Sequence, residues 1–245
     1  MCLFAHRTLF PNCHLEGIIL NIRLVAFDCD GVLVDSVSSW RSLHNHFGTD
    51  NQVNYLAYLN EEITDQQFMQ SDIELWKSVQ AEIHKDDIFR AYQGIKMMKG
   101  ARELITSLKA QGIFIAIVSA GVDVFVGAIA SMLKADDWIA NGLSFSDEGW
   151  LLDDGIVRVV GSKKGEVITR LMAMHEIEGC DVISVGNSLP DLSMKVEGSQ
   201  FIAFNPSQDR CIEGFSTAGV PIVFEKDLRL LWPHIFNGET FPTNE

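Results

Sequence analysis

Residues 23–36 read Arg-Leu-Val-Ala-Phe-Asp-Cys-Asp-Gly-Val-Leu-Val-Asp-Ser, and this stretch decides the fold. The apolar run at 23–27 predicts a short buried strand. The run ends abruptly at two acids, Asp28 and Asp30, and at Gly31, which allows a sharp bend of the chain. Ligands of open α/β sheets bind beyond the carboxyl ends of the strands. We therefore expect Asp28 and Asp30 to face a functional site.

The rest of the chain alternates apolar runs with helical patterns. From about residue 100 this alternation is typical of βαβ units and a parallel sheet. The sequence therefore predicts an α/β fold, in which a Rossmann-like parallel sheet core carries a helical cap inserted after the first strand. The predicted strands are 113–118, 182–185, 201–204 and 221–224, and the predicted helices are 100–111, 122–134, one from Gly165 and one from Pro190. A turn at 147–149 predicts a short hairpin within 143–160.

The segment between residues 38 and 93 has helical spacing and no good strand candidate. Ser38 or Ser39 is expected to start a helix that ends at Gly48. Ser71 and Glu74 fit a capping box at the start of a second helix. The predicted buried face of that helix is Ile73, Trp76, Val79 and Ile83. The expected parts of the chain are an N-terminal extension at 1–22, an α/β core at 23–37 and 94–245, and a helical cap at 38–93.

The composition limits the classes of partner. The chain has 245 residues, and 19 Lys and Arg against 33 Asp and Glu give a formal net charge of −14. A field of this sign repels nucleic-acid phosphates and anionic lipid, so we expect no nucleic-acid and no membrane partner. The five cysteines are odd in number, scattered and without a CxxC pair. This usage favours a cytoplasmic protein over a disulfide framework or a zinc site.

Polar residues follow several predicted strands, in positions that would meet at one edge of a parallel sheet. Ser119 follows the second long strand, and Asn187 and Asp191 lie in a loop after a later strand. Lys163 and Lys164 lie near the start of a helix, and one of them is expected to be solvated. Mg²⁺ prefers oxygen ligands, a carboxylate can attack phosphorus, and an ammonium group can offset phosphoryl charge. Each residue alone could be a turn or capping residue, so only their combination indicates phosphoryl chemistry.

Four stretches of the sequence resemble the motifs of the haloacid-dehalogenase-like phosphohydrolases. Residues 27–36 are similar to the signature DxDGxLxDS, and residues 117–121 resemble the second motif, an apolar strand that ends in Ser or Thr. Residues 164–166 are similar to the third motif, and residues 186–191 resemble the fourth, GDxxxD. The order and spacing match over about residues 23–236. The helical insert, the hairpin and the third motif are most similar to the phosphoserine-phosphatase-like group.

The resemblance implies a role for each motif residue. Asp28 would be the nucleophile that forms an aspartyl phosphate, and Asp30 would be the general acid and base. Ser119 and Lys164 complete the implied catalytic set. The implied phosphate-binding residues are Asp30, Gly31, Ser119, Ala120 and Lys164. The implied cofactor is Mg²⁺, and the implied metal-site residues are Asp28, Asp30, Asn187 and Asp191.

The sequence departs from the family pattern in two places. Asn187 stands where the fourth motif has its first acid, so we expect weaker metal binding from a site with one negative charge fewer. Phosphoserine phosphatases also carry a Glu shortly after the first motif and an Arg in the cap, which together hold the amino acid. The equivalent stretch here is Val37-Ser38-Ser39-Trp40, and the basic residues of the cap region are Arg41, Lys77, Lys85, Arg90 and Lys96.

Three functions agree with this pattern. The first is a Mg²⁺-dependent phosphatase that hydrolyses a small phosphorylated metabolite, with a phosphoserine-like phosphomonoester as the first candidate. The second is a phosphosugar mutase. The third is a catalytically weak homologue that binds a phosphate ligand, which Asn187 makes conceivable. The sequence indicates neither the exact substrate nor the oligomeric state.

Overall fold

The computed structural model describes residues 21–60 and 62–242. Within these residues the strands form one seven-stranded sheet with the order β4-β3-β2-β1-β5-β6-β7. All neighbouring strands are parallel except β3 and β4, which form an antiparallel hairpin. The strands are β1 Leu24–Phe27, β2 Phe114–Val122, β3 Asp137–Phe145, β4 Leu151–Ile156, β5 Val182–Gly186, β6 Gln200–Phe204 and β7 Ile222–Val223. The predicted α/β fold class is confirmed.

The central strand, β1, is covered on both faces, and all four of its residues are fully buried. Val25 and Phe27 belong to one apolar cluster, whereas Leu24 and Ala26 belong to another. This division follows from the alternation of side chains along a strand. Burial on both faces explains why β1 is a continuous apolar run rather than an alternating one. The packing fixes the end of β1, and with it Asp28, at the middle of the sheet.

The predicted helices at 100–111, at 122–134 and from Gly165 are all present. The α-helices among the described residues are α1 Ser39–Phe47, α2 Gln52–Leu59, α3 Asp65–Val79, α4 Lys85–Arg90, α5 Ala101–Ala110, α6 Asp123–Leu133, α7 Gly165–His175, α8 Asp209–Thr217 and α9 Trp232–Ile235. None of these helices has the length and apolar character needed to cross a bilayer.

Helices α1 to α4 lie between β1 and α5 along the chain, and the described part of residues 38–93 contains no named strand. Helix α1 begins after Ser38 and ends at Gly48, as predicted. Gln66 on α3 donates a hydrogen bond from Nε2 to the carbonyl oxygen of Gly155 on β4 at 2.9 Å. The helical segment therefore packs against the β3–β4 hairpin.

The boundaries of the parts remain predictions. Leu43 on α1 and Trp76 on α3 belong to the same buried apolar cluster as Phe27 on β1. The predicted cap, 38–93, is thus in continuous apolar contact with the predicted core. Of the predicted extension at 1–22, residues 1–20 lie outside the described residues.

The capping box predicted at Ser71 is wrong, because Ser71 lies inside α3. The helix begins after Thr64, whose Oγ1 accepts the N–H of Gln67 at 3.2 Å. The side chain of Gln67 accepts the N–H of Thr64 at 2.9 Å in return. Of the predicted buried face, Ile73, Trp76 and Ile83 are buried, Val79 is exposed, and Ile83 lies beyond the end of the helix.

Three further elements differ from the prediction. The chain around Pro190 forms a 3₁₀ helix, Leu189–Met194, rather than an α-helix. Strand β3 begins well before the predicted hairpin, and its middle contains Asn141 and Gly142, which are weak strand formers. Helix α8 was not predicted, because its buried residues are only Cys211 and Phe215.

Candidate active site

The polar residues that follow the predicted strands meet at the centre of the sheet. Strand β1 lies between β2 and β5, and successive strands run outward from it on both sides, an arrangement that opens a crevice at the carboxyl ends. Asp28 directly follows β1, and its N–H donates to the carbonyl oxygen of Val185 on β5 at 2.9 Å. Ser119 lies in β2, and Asn187 directly follows β5. Three adjacent strands therefore supply the predicted site residues.

Lys164 joins two of these strand ends. It lies just before α7 and is only 3% exposed. Its Nζ donates to Asp28 Oδ1 at 2.8 Å and to Asp191 Oδ1 at 2.6 Å. The neighbouring Lys163 is exposed. Of the two lysines that the sequence left open, Lys164 is the one that belongs to the site.

Both carboxylate oxygens of Asp191 are bonded within the chain. Oδ1 accepts from Lys164, and Oδ2 accepts the N–H groups of Asn187 and Ser188 at 3.1 and 2.9 Å. The hydroxyl of Ser188 donates to the same oxygen at 2.7 Å. A Cβ on Gly186 would collide with Asp191, so this position requires glycine. Asp191 thus holds the loop and the lysine, and its role in a metal site stays a prediction.

Asp30 is held by the first residue of α1. Asp30 Oδ2 accepts the N–H of Ser39 at 2.8 Å and its hydroxyl at 2.7 Å. Burial raises the pKa of the Asp30 carboxyl above its usual value, although the two bonds from Ser39 oppose the shift. The second oxygen, Oδ1, is buried and has no partner among the described residues. Asp30 therefore keeps one oxygen available for proton transfer.

The last residues of β2, from Ser119 onward, are closely packed. Ser119 is 1% exposed, and its Oγ accepts the N–H of Gly121 at 3.1 Å. A Cβ on Gly121 would lie 2.6 Å from Ser39 Oγ and 2.9 Å from Asp30 Oδ2, so only glycine fits between them. The carbonyl oxygen of Ala120 accepts from Trp40 Nε1 at 3.0 Å. The predicted phosphate-binding residue Ala120 is therefore held partly by α1 of the cap region.

Gly31 and Asn187 lie against each other. Gly31 is buried and has a φ of 75°, a backbone conformation that favours glycine. A Cβ at this position would collide with Nδ2 of Asn187. The amide of Asn187 is thus placed beside the turn that follows Asp28 and Asp30.

The charges at the site do not balance, because Asp28, Asp30 and Asp191 share the single ammonium group of Lys164. Burial and the negative charge of Asp191 raise the pKa of Asp28 to about 7, although Lys164 opposes the shift. Burial disfavours the charge of Lys164, but Asp191 and Asp28 outweigh this effect and raise its pKa. A divalent cation would offset the excess negative charge.

The oxygen donors at this edge fit Mg²⁺. Mg²⁺ is commonly held by one or two carboxylates together with waters and substrate phosphate. No three His, Cys, Asp or Glu residues within 21–60 and 62–242 form a metal-binding group. The predicted metal-site residues Asp28, Asp30, Asn187 and Asp191 thus remain candidates at this edge of the sheet.

A comparison with protein families agrees with the arrangement of the site. The model of the haloacid dehalogenase-like hydrolases matches residues 22–195. The chain belongs to this family. The matched range contains all four stretches that resemble the motifs of this family.

Two curated relatives of this hydrolase are phosphoserine phosphatases. The protein from Archaeoglobus fulgidus is 28% identical over 189 residues, which cover 76% of this chain and 53% of the relative. The protein from Methanocaldococcus jannaschii is 28% identical over 200 residues, which cover 78% of this chain and 92% of the relative. This chain thus spans about half the length of the first relative and nearly all of the second. The family and these relatives support a phosphoric monoester hydrolase.

Solved structures give the same likeness. A phosphoserine phosphatase described as a phospho-aspartyl intermediate analogue has a TM-score of 0.72 and 25% identity, covering 88% of this chain and 99% of that one. A phosphoserine phosphatase in its apo form has a TM-score of 0.73 and 25% identity, covering 87% of this chain and 99% of that one. The predicted phosphoserine-phosphatase-like grouping is confirmed.

Sequence reasoning missed four residues that position the site of this hydrolase. Ser39 was considered only as a helix start, yet it binds Asp30. Gly121 was part of a motif but had no assigned role. Trp40 and Asn141 both donate to the carbonyl oxygen of Ala120, Asn141 from Nδ2 at 3.2 Å. The tryptophan bond joins residues 80 positions apart, so no local spacing could have revealed it.

Proposed function

We propose that this hydrolase cleaves a small phosphate monoester with the help of Mg²⁺, and that phosphoserine is the first candidate substrate. The observation that carries the proposal is the buried bridge from Lys164 to Asp28 and Asp191 at the carboxyl end of β1. The bridge places a fixed positive charge beside a carboxylate that can attack phosphorus. The named activity of the relatives supports the choice of substrate.

The residues divide the chemistry between them. An oxygen of Asp28 forms a bond to phosphorus, and the bond from phosphorus to the ester oxygen breaks. Asp30 gives its proton to the departing alcohol through Oδ1. Water then attacks the phosphorus of the aspartyl phosphate and gives a proton to Asp30. The bond from phosphorus to the Asp28 oxygen breaks, so phosphate is released and the Asp28 carboxylate is restored. Ser119, Lys164 and the backbone at Gly31 and Ala120 are proposed to bind the phosphoryl oxygens.

Mg²⁺ would be held by the Asp28 carboxylate, the Asp30 carbonyl and the Asn187 amide, and it would supply positive charge that offsets the phosphate. We expect Asn187→Asp to strengthen Mg²⁺ binding by about tenfold, because the variant restores one negative charge. Calorimetric titration with Mg²⁺ measures this affinity without turnover. Asp181→Asn, which changes a carboxyl group at the opposite end of β5, is the matched control. Unchanged affinity in Asn187→Asp would contradict the ligand role.

Segment 38–93 is proposed to act as a cap that opens to admit substrate and closes to exclude water. The bond from Trp40 to the Ala120 carbonyl supports this, because it joins the segment to a residue proposed to bind phosphate. The partner implied is a small phosphorylated metabolite. A cytoplasmic location is proposed from the scattered cysteines of the sequence alone.

Phosphate release from phosphoserine and from p-nitrophenyl phosphate, with Mg²⁺, tests the proposal. We expect turnover that Asp28→Asn lowers by at least about a thousandfold, because the variant has no nucleophilic oxygen. Binding of phosphoserine without release would favour the binding homologue instead. Product analysis with sugar bisphosphates separates hydrolysis from the mutase reaction, in which phosphate returns to the sugar.

A further inference from the structure

Three buried polar atoms beside the reaction centre have no hydrogen-bond partner among the described residues. They are Asp30 Oδ1, Tyr92 Oη and Asp123 Oδ1. A buried polar group without a partner loses its hydration and gains nothing in return, so such groups are rare in folded proteins. Three of them in one region indicate a place that binds a ligand.

The three residues are joined through α1 and α6. Ser39 Oγ donates to Asp30 Oδ2 at 2.7 Å and accepts the N–H of the last residue of β2 at 3.1 Å. The next residue along the chain is Asp123, which begins α6. Tyr92 stacks on Phe125 of the same helix, with ring centroids 4.5 Å apart. The region is therefore continuous with the general acid.

The hydroxyl of Tyr92 is buried and has no hydrogen-bond partner among the described residues. The side chain is only 8% exposed. Burial raises the pKa of Tyr92, and the negative charges of Asp30 and Asp123 raise it further. The phenol thus lies within electrostatic reach of both acids, although it bonds to neither.

The charge of this region selects the kind of ligand. Asp123 Oδ2 accepts from Arg158 Nη1 at 2.9 Å, which leaves Oδ1 unpaired. Lys164 is bonded to other acids. Asp123 Oδ1 can only accept hydrogen bonds when ionised, so a ligand group beside it must donate them. A protonated amine has three donors and no acceptor, and its bonds to carboxylates are strengthened by charge.

The cap region offers no comparable partner for a substrate carboxylate among its described residues. Arg90 Nη1 donates to Asp87 Oδ1 at 2.8 Å, and Lys77 is paired with Asp153. The remaining basic residues are all exposed: Arg41, Lys85 and Lys96. Recognition through an amine is therefore better supported than recognition through a carboxylate.

We propose that Asp123 and Tyr92 bind the protonated amine of the leaving group beside Asp30, so that the preferred substrates are phosphate esters of amino alcohols. The proposal rests on the phosphatase function proposed above. In such esters the amine is on the carbon next to the one that carries the ester oxygen. When the ester oxygen lies at Asp30 Oδ1, the amine is therefore placed beside Asp123 Oδ1 and the hydroxyl of Tyr92. Asp123 and Tyr92 determine specificity, and the carboxylate of phosphoserine is dispensable.

Steady-state kinetics of the full chain with Mg²⁺ and four substrates test the proposal. Phosphoserine and phosphoethanolamine carry the amine, 3-phosphoglycerate has a hydroxyl in its place, and p-nitrophenyl phosphate has neither. We expect Asp123→Asn to lower kcat/KM by about tenfold or more for the two amines, mainly through KM, and by less than about twofold for the others. Tyr92→Phe is expected to act in the same direction with a smaller effect. Asp153→Asn and Tyr58→Phe are the matched controls, with kinetics unchanged.

Other outcomes would overturn the proposal. Equal losses for all four substrates would show that the two residues act on the fold or on catalysis in general. Unchanged kinetics for the amines would show that ordered water alone satisfies the three atoms. A wild-type chain that hydrolyses none of the substrates would defeat the phosphatase function instead. In that case, calorimetric titration with phosphoethanolamine and 3-phosphoglycerate still tests the amine site, since Asp123→Asn must remove a preference for the amine.

Discussion

The sheet edge and the helical segment 38–93 both bury ionisable residues, but the two regions bond them differently. In the helical segment, His44 and Asp72 are 0% and 1% exposed and lie 3.2 Å apart. Asn51 Nδ2 donates to Asp72 Oδ1 at 2.9 Å, and Thr49 Oγ1 lies 2.7 Å from His44 Nδ1. Asp72, Asn51, Thr49 and His44 Nδ1 thus have polar partners inside the segment, whereas His44 Nε2 lies close to Asp72 without a hydrogen bond to any described residue.

At the sheet edge, by contrast, ion pairs hold the acids and leave bonding capacity unused. Lys164 offsets only part of the negative charge of Asp28 and Asp191, and one oxygen of Asp30 has no partner within 21–60 and 62–242. A polar cluster that closes on itself supports the fold, whereas one with uncompensated charge can bind a ligand. Both regions contain a buried polar atom without a partner among the described residues, so the difference between them is the excess of negative charge around Lys164.

The largest expected effect is that of Lys164→Met, which removes the charge shared by Asp28 and Asp191. We expect kcat/KM to fall by at least about a thousandfold, because two buried carboxylates lose their counter-charge and the phosphoryl group loses its ammonium partner. Breaking a buried pair also destabilises the fold by about 3–5 kcal/mol. Activity is therefore measured at low temperature, after circular dichroism has verified folding.

Lys163→Met is the matched control for this variant. Lys163 is the exposed neighbour in the sequence, so the same change there should leave both activity and unfolding within experimental error. Similar losses in the two variants would contradict the assignment of Lys164. Such losses would also mean that a buried lysine at the sheet edge matters no more to the reaction than an exposed one.

The second effect is a pH dependence of stability in the metal-free protein. Because the pKa of Asp28 is raised from 3.8 to about 7, its protonated form is favoured by the fold. The corresponding contribution to the free energy of unfolding is fully present below 3.8, the pKa of Asp28 in the unfolded chain, and is lost as the pH rises through about 7. We expect the free energy of unfolding to fall by up to about 4 kcal/mol across this window. Urea unfolding with a chelator present, between pH 4 and 8, measures it.

Asp28→Asn should flatten much of this slope, because the amide cannot ionise. Asp35→Asn, which changes an exposed carboxyl group, is the control and should retain it. An unchanged slope in Asp28→Asn would show that other groups carry the dependence.

Much of the sheet edge could be predicted because its chemistry is local in sequence. Asp28 and Asp30 directly follow β1, Ser119 is in β2, and Asn187 directly follows β5. Each lies at the end of an apolar run, and parallel strands bring those ends together. The fold class followed from the same runs. The sequence does not indicate which carboxylate oxygen of Asp30 remains without a hydrogen bond to the described residues in the folded chain.

The contacts of the helical segment with the site could not be predicted in this way. The bond from Ser39 Oγ to the chain at the end of β2 spans 83 positions. Tyr92 contacts α6 by stacking on Phe125, a residue far from it in the sequence. Such pairs have no spacing signature, because tertiary packing alone brings them together.

A smaller effect is expected for the bond that joins the two regions. Trp40→Phe removes the Nε1 donor to the Ala120 carbonyl but keeps an aromatic ring beside Trp76. We expect kcat/KM for p-nitrophenyl phosphate to fall by about 3- to 10-fold, since one hydrogen bond contributes about 1 kcal/mol. Trp138→Phe, at an exposed position on β3, is the control. A loss in the control as large as in Trp40→Phe would contradict the positioning role.

The smallest effect concerns the start of α3, where the sequence and the structure disagree. Thr64→Ala removes the cap that accepts the N–H of Gln67, so it should cost about 1 kcal/mol of unfolding free energy. Ser71→Ala should cost less than about 0.5 kcal/mol, because the Ser71 hydroxyl only bonds back to the Phe68 carbonyl inside the helix. Urea unfolding ranks the two variants, and the reverse order would support a helix cap at Ser71 instead of Thr64. Neither variant should alter kcat, because both changes lie where polar groups support the fold rather than the reaction.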